Sequence, residues 1–364
     1  MMTVRHGAIH FDNVRKEYGD HVAVDDLTLT IEPGEFFTVL GPSGSGKTTT
    51  LMMLAGFTEP TSGAIRVDGT DIAHVPSDKR NIGVVFQDYA LFPHMSVRDN
   101  LAFPLEMRKE PREVIAERVQ RALDLVDMSA AADRLPDQLS GGQKQRIAVA
   151  RAVVFDPAFL LMDEPLGALD RKLRQRLQVE LRQLQQALQV TMVYVTHDQE
   201  EAMSMSDRVA LMNHGRIEQM GTPRELYEHP RSAFVADFLG TNNMLTVRPE
   251  APGRLSVENG GLLTLDDDRS LPADASVAAV RPERIALTDV AAAPPQGFSH
   301  CTGKVTHRLY LGSHTMYTVH SETLGPVRVQ MQHDDGEHPY RTGETVGMIW
   351  RTRDVNVFGP TAER

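Results

Sequence analysis

Three short strings in this chain carry residue types that handle phosphate, metal and water. The first is Gly41-Pro-Ser-Gly-Ser-Gly46-Lys47-Thr48, preceded by the apolar run Phe36 to Leu40 and followed by a helical pattern. Glycines at this spacing let the backbone curl so that successive N–H groups point inward at a phosphate. The helix that follows adds the partial positive charge of its N-terminus. Lys47 can reach β- and γ-phosphates, and the Thr48 hydroxyl can ligate Mg²⁺. A chance glycine-rich turn would not bring this strand–loop–helix context, so the string reads as a nucleotide site. The second is Phe159-Leu-Leu-Met-Asp163-Glu164-Pro165. An apolar run ending in two carboxylates fits a buried strand whose C-terminal tip reaches the nucleotide crevice. Alone, Asp-Glu after a strand is most often a solvated strand end. Beside a phosphate loop, Asp163 is expected to hold Mg²⁺ through water and Glu164 to polarise the attacking water. The third is Leu139-Ser140-Gly141-Gly142-Gln143-Lys144-Gln145-Arg146. Ser140 is a good N-cap and the glycines expose backbone N–H groups, which makes a second anion-binding helix start. One ATP has one γ-phosphate, so a second start suggests service to another subunit's ATP. An ordinary helix cap explains the same spacing.

The elements that position these strings follow from periodicity. Up to about residue 240 apolar strands alternate with periodic helices, the pattern of an α/β domain with a mainly parallel sheet. Strand-like runs are Phe36 to Leu40, Ile82 to Phe86, Phe159 to Met162, Thr191 to Val195 and Val209 to Met212. After Asp170, Leu173, Leu177, Leu181, Leu184 and Leu188 recur at helical spacing. A hairpin is expected at Asn213-His214-Gly215, and Thr222-Pro223-Arg224-Glu225 reads as a capping box. Between Ser96 and Val126 the strand signal lapses, and Pro93, Pro104 and Pro111 are expected to divide a helix-rich insertion. Beyond Gly240, short alternating runs such as Met316-Tyr317-Thr318-Val319-His320 sit between Gly, Pro and Asp, which predicts a small all-β unit with a loop at Ala291-Ala-Ala-Pro-Pro295.

In combination the three strings resemble the motif set of ABC-type ATPases, with Ser140-Gly141-Gly142-Gln143 as the signature sequence. The rest of that set is present in order. Tyr18 matches the aromatic that stacks on adenine. Gln87, in Val85-Phe86-Gln87-Asp88, matches the glutamine that senses Mg²⁺ and water. Asp170, in Gly167-Ala-Leu-Asp170, matches the dimer-contact loop, and His197, in Val195-Thr196-His197-Asp198, the switch histidine at the γ-phosphate. Gly167 is a departure, since many relatives carry serine there. Ala279-Val280-Arg281-Pro282-Glu283-Arg284-Ile285 and Leu311-Gly312-Ser313-His314 resemble the TOBE domain that follows the cassette in many bacterial importer ATPases.

The resemblance implies an α/β P-loop ATPase cassette over 1–240 with a helical subdomain at about 88–155, then a small all-β, OB-like TOBE domain over 241–364. It implies an ATP-hydrolysing subunit that powers uptake of a small solute, of polyamine, ferric-iron or phosphonate type, through membrane permease subunits served by an extracytoplasmic solute-binding protein. ATP contacts are expected from Tyr18, Gly41, Ser43, Gly44, Ser45, Gly46, Lys47, Thr48 and Thr49. Glu164, His197 and Gln87 are the expected catalytic group, and Thr48, Gln87 and Asp163 the Mg²⁺ group. Ser140, Gly141, Gly142, Gln143 and Asp170 are expected to reach the ATP of the partner in a homodimer. The segment Gln87-Asp-Tyr-Ala-Leu-Phe-Pro-His94 resembles the surface that receives the membrane subunits, although Tyr89 and Phe92 also suit a core. The stretches Met205 to Asn213 and Phe238 to Asn243 look closer to polyamine- and iron-type importers than to sugar-type ones.

Composition agrees with this outline. At 364 residues the chain has room for two or three domains, and 41% hydrophobic with 24% charged residues supports a core and a solvated surface. A net charge of −11 argues against coating nucleic acid, which needs clustered Lys and Arg. The single cysteine, Cys301, cannot form an internal disulfide, so a reducing compartment is expected. The N-terminal residues lack an apolar signal core and no stretch approaches the ~18 apolar residues of a membrane helix. These features predict a soluble, cytoplasmic chain, and the resemblance to importer ATPases implies a peripheral place on the cytoplasmic face of the inner (cell) membrane. Two alternatives are weaker: a soluble ABC ATPase of translation or repair, which would carry paired cassettes or a long coiled coil, and a ligand-sensing regulatory ATPase with a vestigial site.

Overall fold

The computed structural model describes residues 7–167, 170–265, 272, 274–290, 294–332 and 340–360. The first N-terminal residues, Ala168 and Leu169 of the dimer-contact loop and 291–293 of the expected loop lie outside these. The chain divides into two compact units between Arg224 and Glu225.

The first unit holds strands β1 (Ile9–Tyr18), β2 (His21–Ile31), β3 (Phe36–Leu40), β4 (Ser62–Val67), β5 (Thr70–Asp71), β6 (Gly83–Val85), β7 (Phe159–Asp163), β8 (Thr191–Thr196), β9 (Arg208–Asn213) and β10 (Arg216–Gly221). Its helices are α1 (Lys47–Ala55), α2 (Val97–Met107), α3 (Arg112–Leu125), α4 (Gly141–Val153), α5 (Arg171–Leu188) and α6 (Gln199–Met205). One sheet has the order β10-β9-β3-β8-β7-β6, parallel throughout except for β10. β3 and β8 are buried along their whole length, which is why they read as continuous apolar runs. The register pairs Leu40 with Thr196 and Asp163 with Val195. The C-terminal tips of β3, β7 and β8 therefore share one end of the sheet, where α/β folds bind ligands. The hairpin between β9 and β10 turns at His214 (φ 45°) and Gly215 (φ 78°), both left-handed as a tight primed turn requires.

A second, antiparallel sheet of order β2-β1-β4-β5 was not foreseen from the sequence. In β1 the alternation Ile9, Phe11 breaks at Asn13, which sits at φ 48°, and the pairing with β2 shifts register between Phe11 and Val14. A bulge erases the period-2 signal. The helical region between β6 and β7 is as expected in kind, with a core of Val97, Leu101, Leu105, Val119, Leu123 and Ile147. One detail is corrected: Pro104 lies inside α2 and does not divide it. Proline removes one backbone donor, and this helix is held instead by packing of Leu101 and Leu105 and by the Ser96–Asp99 capping box. On α5 Leu177 and Leu181 are buried, with Leu173, Leu184 and Leu188 packed at the edge of the same core.

The second unit begins within α7 (Pro223–Glu228) and continues through α8 (Ala233–Phe238). Its strands are β11 (Asn243–Ala251), β12 (Arg254–Val257), β13 (Leu262–Thr264), β14 (Val277–Val280), β15 (Ala286–Thr288), β16 (Phe298–Tyr310), β17 (His314–Ser321), β18 (Gly325–Gln332), β19 (Thr345–Arg351) and β20 (Asn356–Phe358). Among the described residues they form two antiparallel sheets, β13-β12-β11-β14-β20 and β15-β19-β16-β17-β18. The division falls within the first turn of α7 and not near Gly240, because α7 and α8 pack on the strands that follow. The buried Arg281 guanidinium lies 3.5 Å from the centre of the Tyr227 ring and donates to the carbonyls of Tyr227 (2.9 Å) and Leu239 (3.2 Å). Ala233 and Ala236 pack with Ala279 and Phe358. Alternation announces the strands in sequence and the Thr222–Glu225 string announces α7, but the packing of two helices of 6 residues each on later strands has no such local signal.

Candidate nucleotide site

The phosphate loop is shaped by close approach. A Cβ on Gly41 would run into the Met212 carbonyl at the end of β9, and one on Gly46 (φ 100°) into the Ala23 carbonyl of β2. Only glycine lets the loop lie this tightly against both strands. Gly46 opens α1 with no side-chain cap, so the first N–H groups of the helix face the loop without a side-chain partner. Ser45 Oγ is buried and has no hydrogen-bond partner among the described residues. Such an unsatisfied group at an uncapped helix start is what a bound phosphate would complete. Lys47 is 5% exposed and its Nζ donates to the Pro42 carbonyl at 2.8 Å, inside the curl of the loop. Burial holds its pKa below the usual lysine range, against the opposing pull of Glu164 and Asp163.

The tip of β7 meets the same loop. Thr48 Oγ1 donates to Asp163 Oδ1 at 3.4 Å. Burial, then Glu164, push the Asp163 carboxyl above its usual range, while Thr48 and Lys47 pull it back. An added cation is the obvious means of relieving two adjacent carboxylates, and the Thr48 hydroxyl with the Asp163 oxygen is an oxygen donor set suited to Mg²⁺. Glu164 leaves the strand in a left-handed conformation (φ 45°), its N–H bonded to the Val195 carbonyl at 2.9 Å. That turn aims its carboxylate at His197, with Nδ1 3.0 Å from Oε1. Backbone strain at a non-glycine residue marks sites where the fold over-determines geometry. Gln87 is exposed, and its amide nitrogen lies beside Gly167, at the end of the turn that starts from Glu164. Tyr18 is half exposed and pairs with His21 in the hairpin whose Ala23 backs the loop.

The structure thus gathers Lys47, Thr48, Asp163, Glu164, His197 and Gln87 at one end of the sheet. The signature string is placed otherwise. Ser140 caps α4, accepting from Gln143 N at 3.4 Å while Ser140 N donates to Gln143 Oε1 at 2.9 Å. Ser140 itself is exposed, Gly142 is buried against Leu173 and Leu177 of α5, and Asp170 caps α5 through Leu173 N at 3.0 Å. Among the described residues no bond joins these groups to the phosphate loop of the same chain. The Gln87 segment has a support that sequence reasoning missed. Asn100, fully buried in α2, accepts from Phe92 N (2.9 Å) and donates to the carbonyls of Phe92, Met95 and Ser96. An asparagine between Val97 and Leu101 on the apolar face of a helix was the available signal. Tyr89 is core and Phe92 is half-buried against Phe103 at 4.7 Å.

Parallel sheet, phosphate loop and paired carboxylates define a P-loop ATPase cassette. Comparison with known proteins narrows this. The ABC transporter family profile matches residues 24–167 and the TOBE domain profile residues 278–358. The chain is 49% identical over 345 residues, 92% of its length and 88% of the relative's, to the spermidine/putrescine import ATP-binding protein PotA of Acidothermus cellulolyticus. It is 47% identical over 325 residues, 88% of its length and 90% of the relative's, to the Fe(3+) ions import ATP-binding protein FbpC of Rhizobium etli. Among solved structures the bacterial ABC transporter cassette MJ0796, a dimer, superposes with a TM-score of 0.53 at 33% identity, covering 59% of this chain and 99% of that one. The chain belongs to the ABC transporter family, as an import ATP-binding subunit with a TOBE domain. It is an ATPase that powers solute import with membrane permease subunits, which sets aside the translation, repair and sensor alternatives.

Proposed function

We propose that two copies of this chain close on two ATP molecules and drive uptake of a polyamine or ferric-iron type solute. The observation that carries the catalytic part is the convergence of the Thr48–Asp163 and Glu164–His197 pairs on the uncapped start of α1. Lys47 and the loop N–H groups hold the β- and γ-phosphates, and Tyr18 offers an exposed ring to adenine. Thr48 and Asp163, together with Gln87, would hold Mg²⁺, which would supply charge neutralisation to the phosphate oxygens. Glu164 accepts a hydrogen bond from the attacking water and orients it in line, and His197, paired with Glu164, contacts the γ-phosphate. Ser140, Gly141, Gly142, Gln143 and Asp170 present to the partner's ATP. The dimeric state of MJ0796 supports this arrangement. ATP binds the closed pair better than the open one, and that difference moves the Gln87 segment against the permeases.

The complex sits on the cytoplasmic face of the cell membrane and receives its solute from an extracytoplasmic binding protein. Support for the solute class comes from the names of the polyamine and Fe(3+) relatives. The test is thermal shift of the partner binding protein against a panel of polyamine, ferric chelate, phosphonate and sugar. A polyamine or ferric-chelate shift is expected; a shift with the sugar alone would refute the assignment.

A further inference from the structure

The site described above leaves one buried carboxylate without a role. Glu201, in the first turn of α6, is 2% exposed. Its Oε2 accepts from Tyr194 OH and from Thr196 Oγ1, both at 2.7 Å. Thr196 Oγ1 in turn accepts from Asp198 N at 3.0 Å, so one hydroxyl both reaches Glu201 and closes the turn that contains His197. Asp198 caps α6 by accepting from Glu200 N and Glu201 N. From α5, Arg174 donates to Asp198 Oδ2 at 2.8 Å and lies 3.8 Å from Glu201 Oε1. Arg174 stands one turn after Asp170, whose carbonyl accepts its N–H at 2.9 Å.

Burying a carboxylate is costly unless its lone pairs are filled, and an apolar side chain would pack there without that cost. What the carboxylate does that an apolar group cannot is bind two hydroxyls two residues apart on β8, and so fix the helix to the strand end. On the opposite side, the Val195 carbonyl holds the Glu164 N–H. His197 is therefore bracketed: Glu164 is tied to the residue two before it, and Glu201 to the residue immediately before it.

We propose that Glu201 is a positioning residue for hydrolysis, strapping α6 to the tip of β8 so that the turn presents His197 to Glu164. Arg174 steadies the strap from the helix that Asp170 caps. The proposal rests on the roles given above to Glu164 and His197. It deepens that reading by naming the groups that hold the histidine.

The test is steady-state ATP hydrolysis by the full-length chain, with MgATP binding measured by calorimetry. Glu201→Ala is expected to lower kcat roughly tenfold or more, since a misplaced group costs rate, while the Kd for MgATP stays within about twofold. In Glu201→Gln the amide oxygen can still accept both hydroxyls, so it recovers most of the lost rate. Thr196→Val and Tyr194→Phe each remove one donor to Glu201, yet only Thr196 also closes the His197 turn. Thr196→Val is therefore expected to lower kcat more than Tyr194→Phe at comparable loss of melting temperature. The pair remains readable if Glu201→Ala does not fold. Equal rates for these two variants, or a kcat unchanged in Glu201→Ala, would overturn the proposal. A parent chain that fails to hydrolyse MgATP would instead refute the ATPase reading beneath it.

Discussion

Two helix starts in the first unit look alike in sequence and differ in structure. Gly41 to Thr48 opens α1 and Ser140 to Gln143 opens α4; both place small residues before a helix. The start of α1 has no side-chain cap, a left-handed Gly46 and a buried Ser45 hydroxyl without a partner among the described residues. The start of α4 is closed by its own Ser140–Gln143 box. The contrast separates a site from a surface. An uncapped start pressed against two strands is finished by a ligand, whereas a self-capped start is stable alone and offers its exposed residues to something outside the chain.

The largest effect expected from this contrast lies next to α1. Glutamine at position 164 keeps the shape of the glutamate but cannot act as a base, and loss of the charge removes its repulsion for phosphate. Glu164→Gln should cut turnover by roughly a hundredfold or more, the scale of a general base. It should keep ATP binding and accumulate a nucleotide-closed dimer, read by gel filtration in MgATP. Parent-rate hydrolysis would remove Glu164 from the chemistry. A smaller but still large effect is expected at Gly46. Gly46→Ala places a Cβ against the Ala23 carbonyl in a left-handed conformation, so stability should fall by about 1–3 kcal/mol and ATP affinity with it, followed by denaturant unfolding and calorimetry. The smallest is at the other start. Ser140→Ala removes one cap bond, worth about 1 kcal/mol, and should lower the melting temperature of the first unit by about 2–4 °C. A drop as large as that of Gly46→Ala would erase the distinction between the two starts.

Much of this site was legible because its signals are local. Phosphate loop, strand-end carboxylates and the strand tips that carry them occupy contiguous strings, and β3, β7 and β8 are mostly apolar and are buried up to the Asp163 tip because both faces of the sheet are covered. What was not legible depends on distant partners. The bulge at Asn13 hides β1, and the packing of α7 and α8 on Arg281 and Ala279 moves the division to Arg224. Asn100 and Glu201 read as polar residues in helices until the carbonyls and hydroxyls they bind are placed beside them. Cap and ligand contact are both compatible with Ser140 in sequence; the structure shows the cap.

The most direct measurement compares MgATP binding and hydrolysis in Lys47→Ala and Ser140→Arg by calorimetry and phosphate release. Lys47→Ala strips the charge from the ligand-completed start, so binding and turnover should both fall. Ser140→Arg obstructs only the face turned to the partner, so each chain should bind MgATP as the parent does while hydrolysis is lost. Near-parent affinity in Lys47→Ala, or loss of binding in Ser140→Arg, would contradict the assignment of the two helix starts.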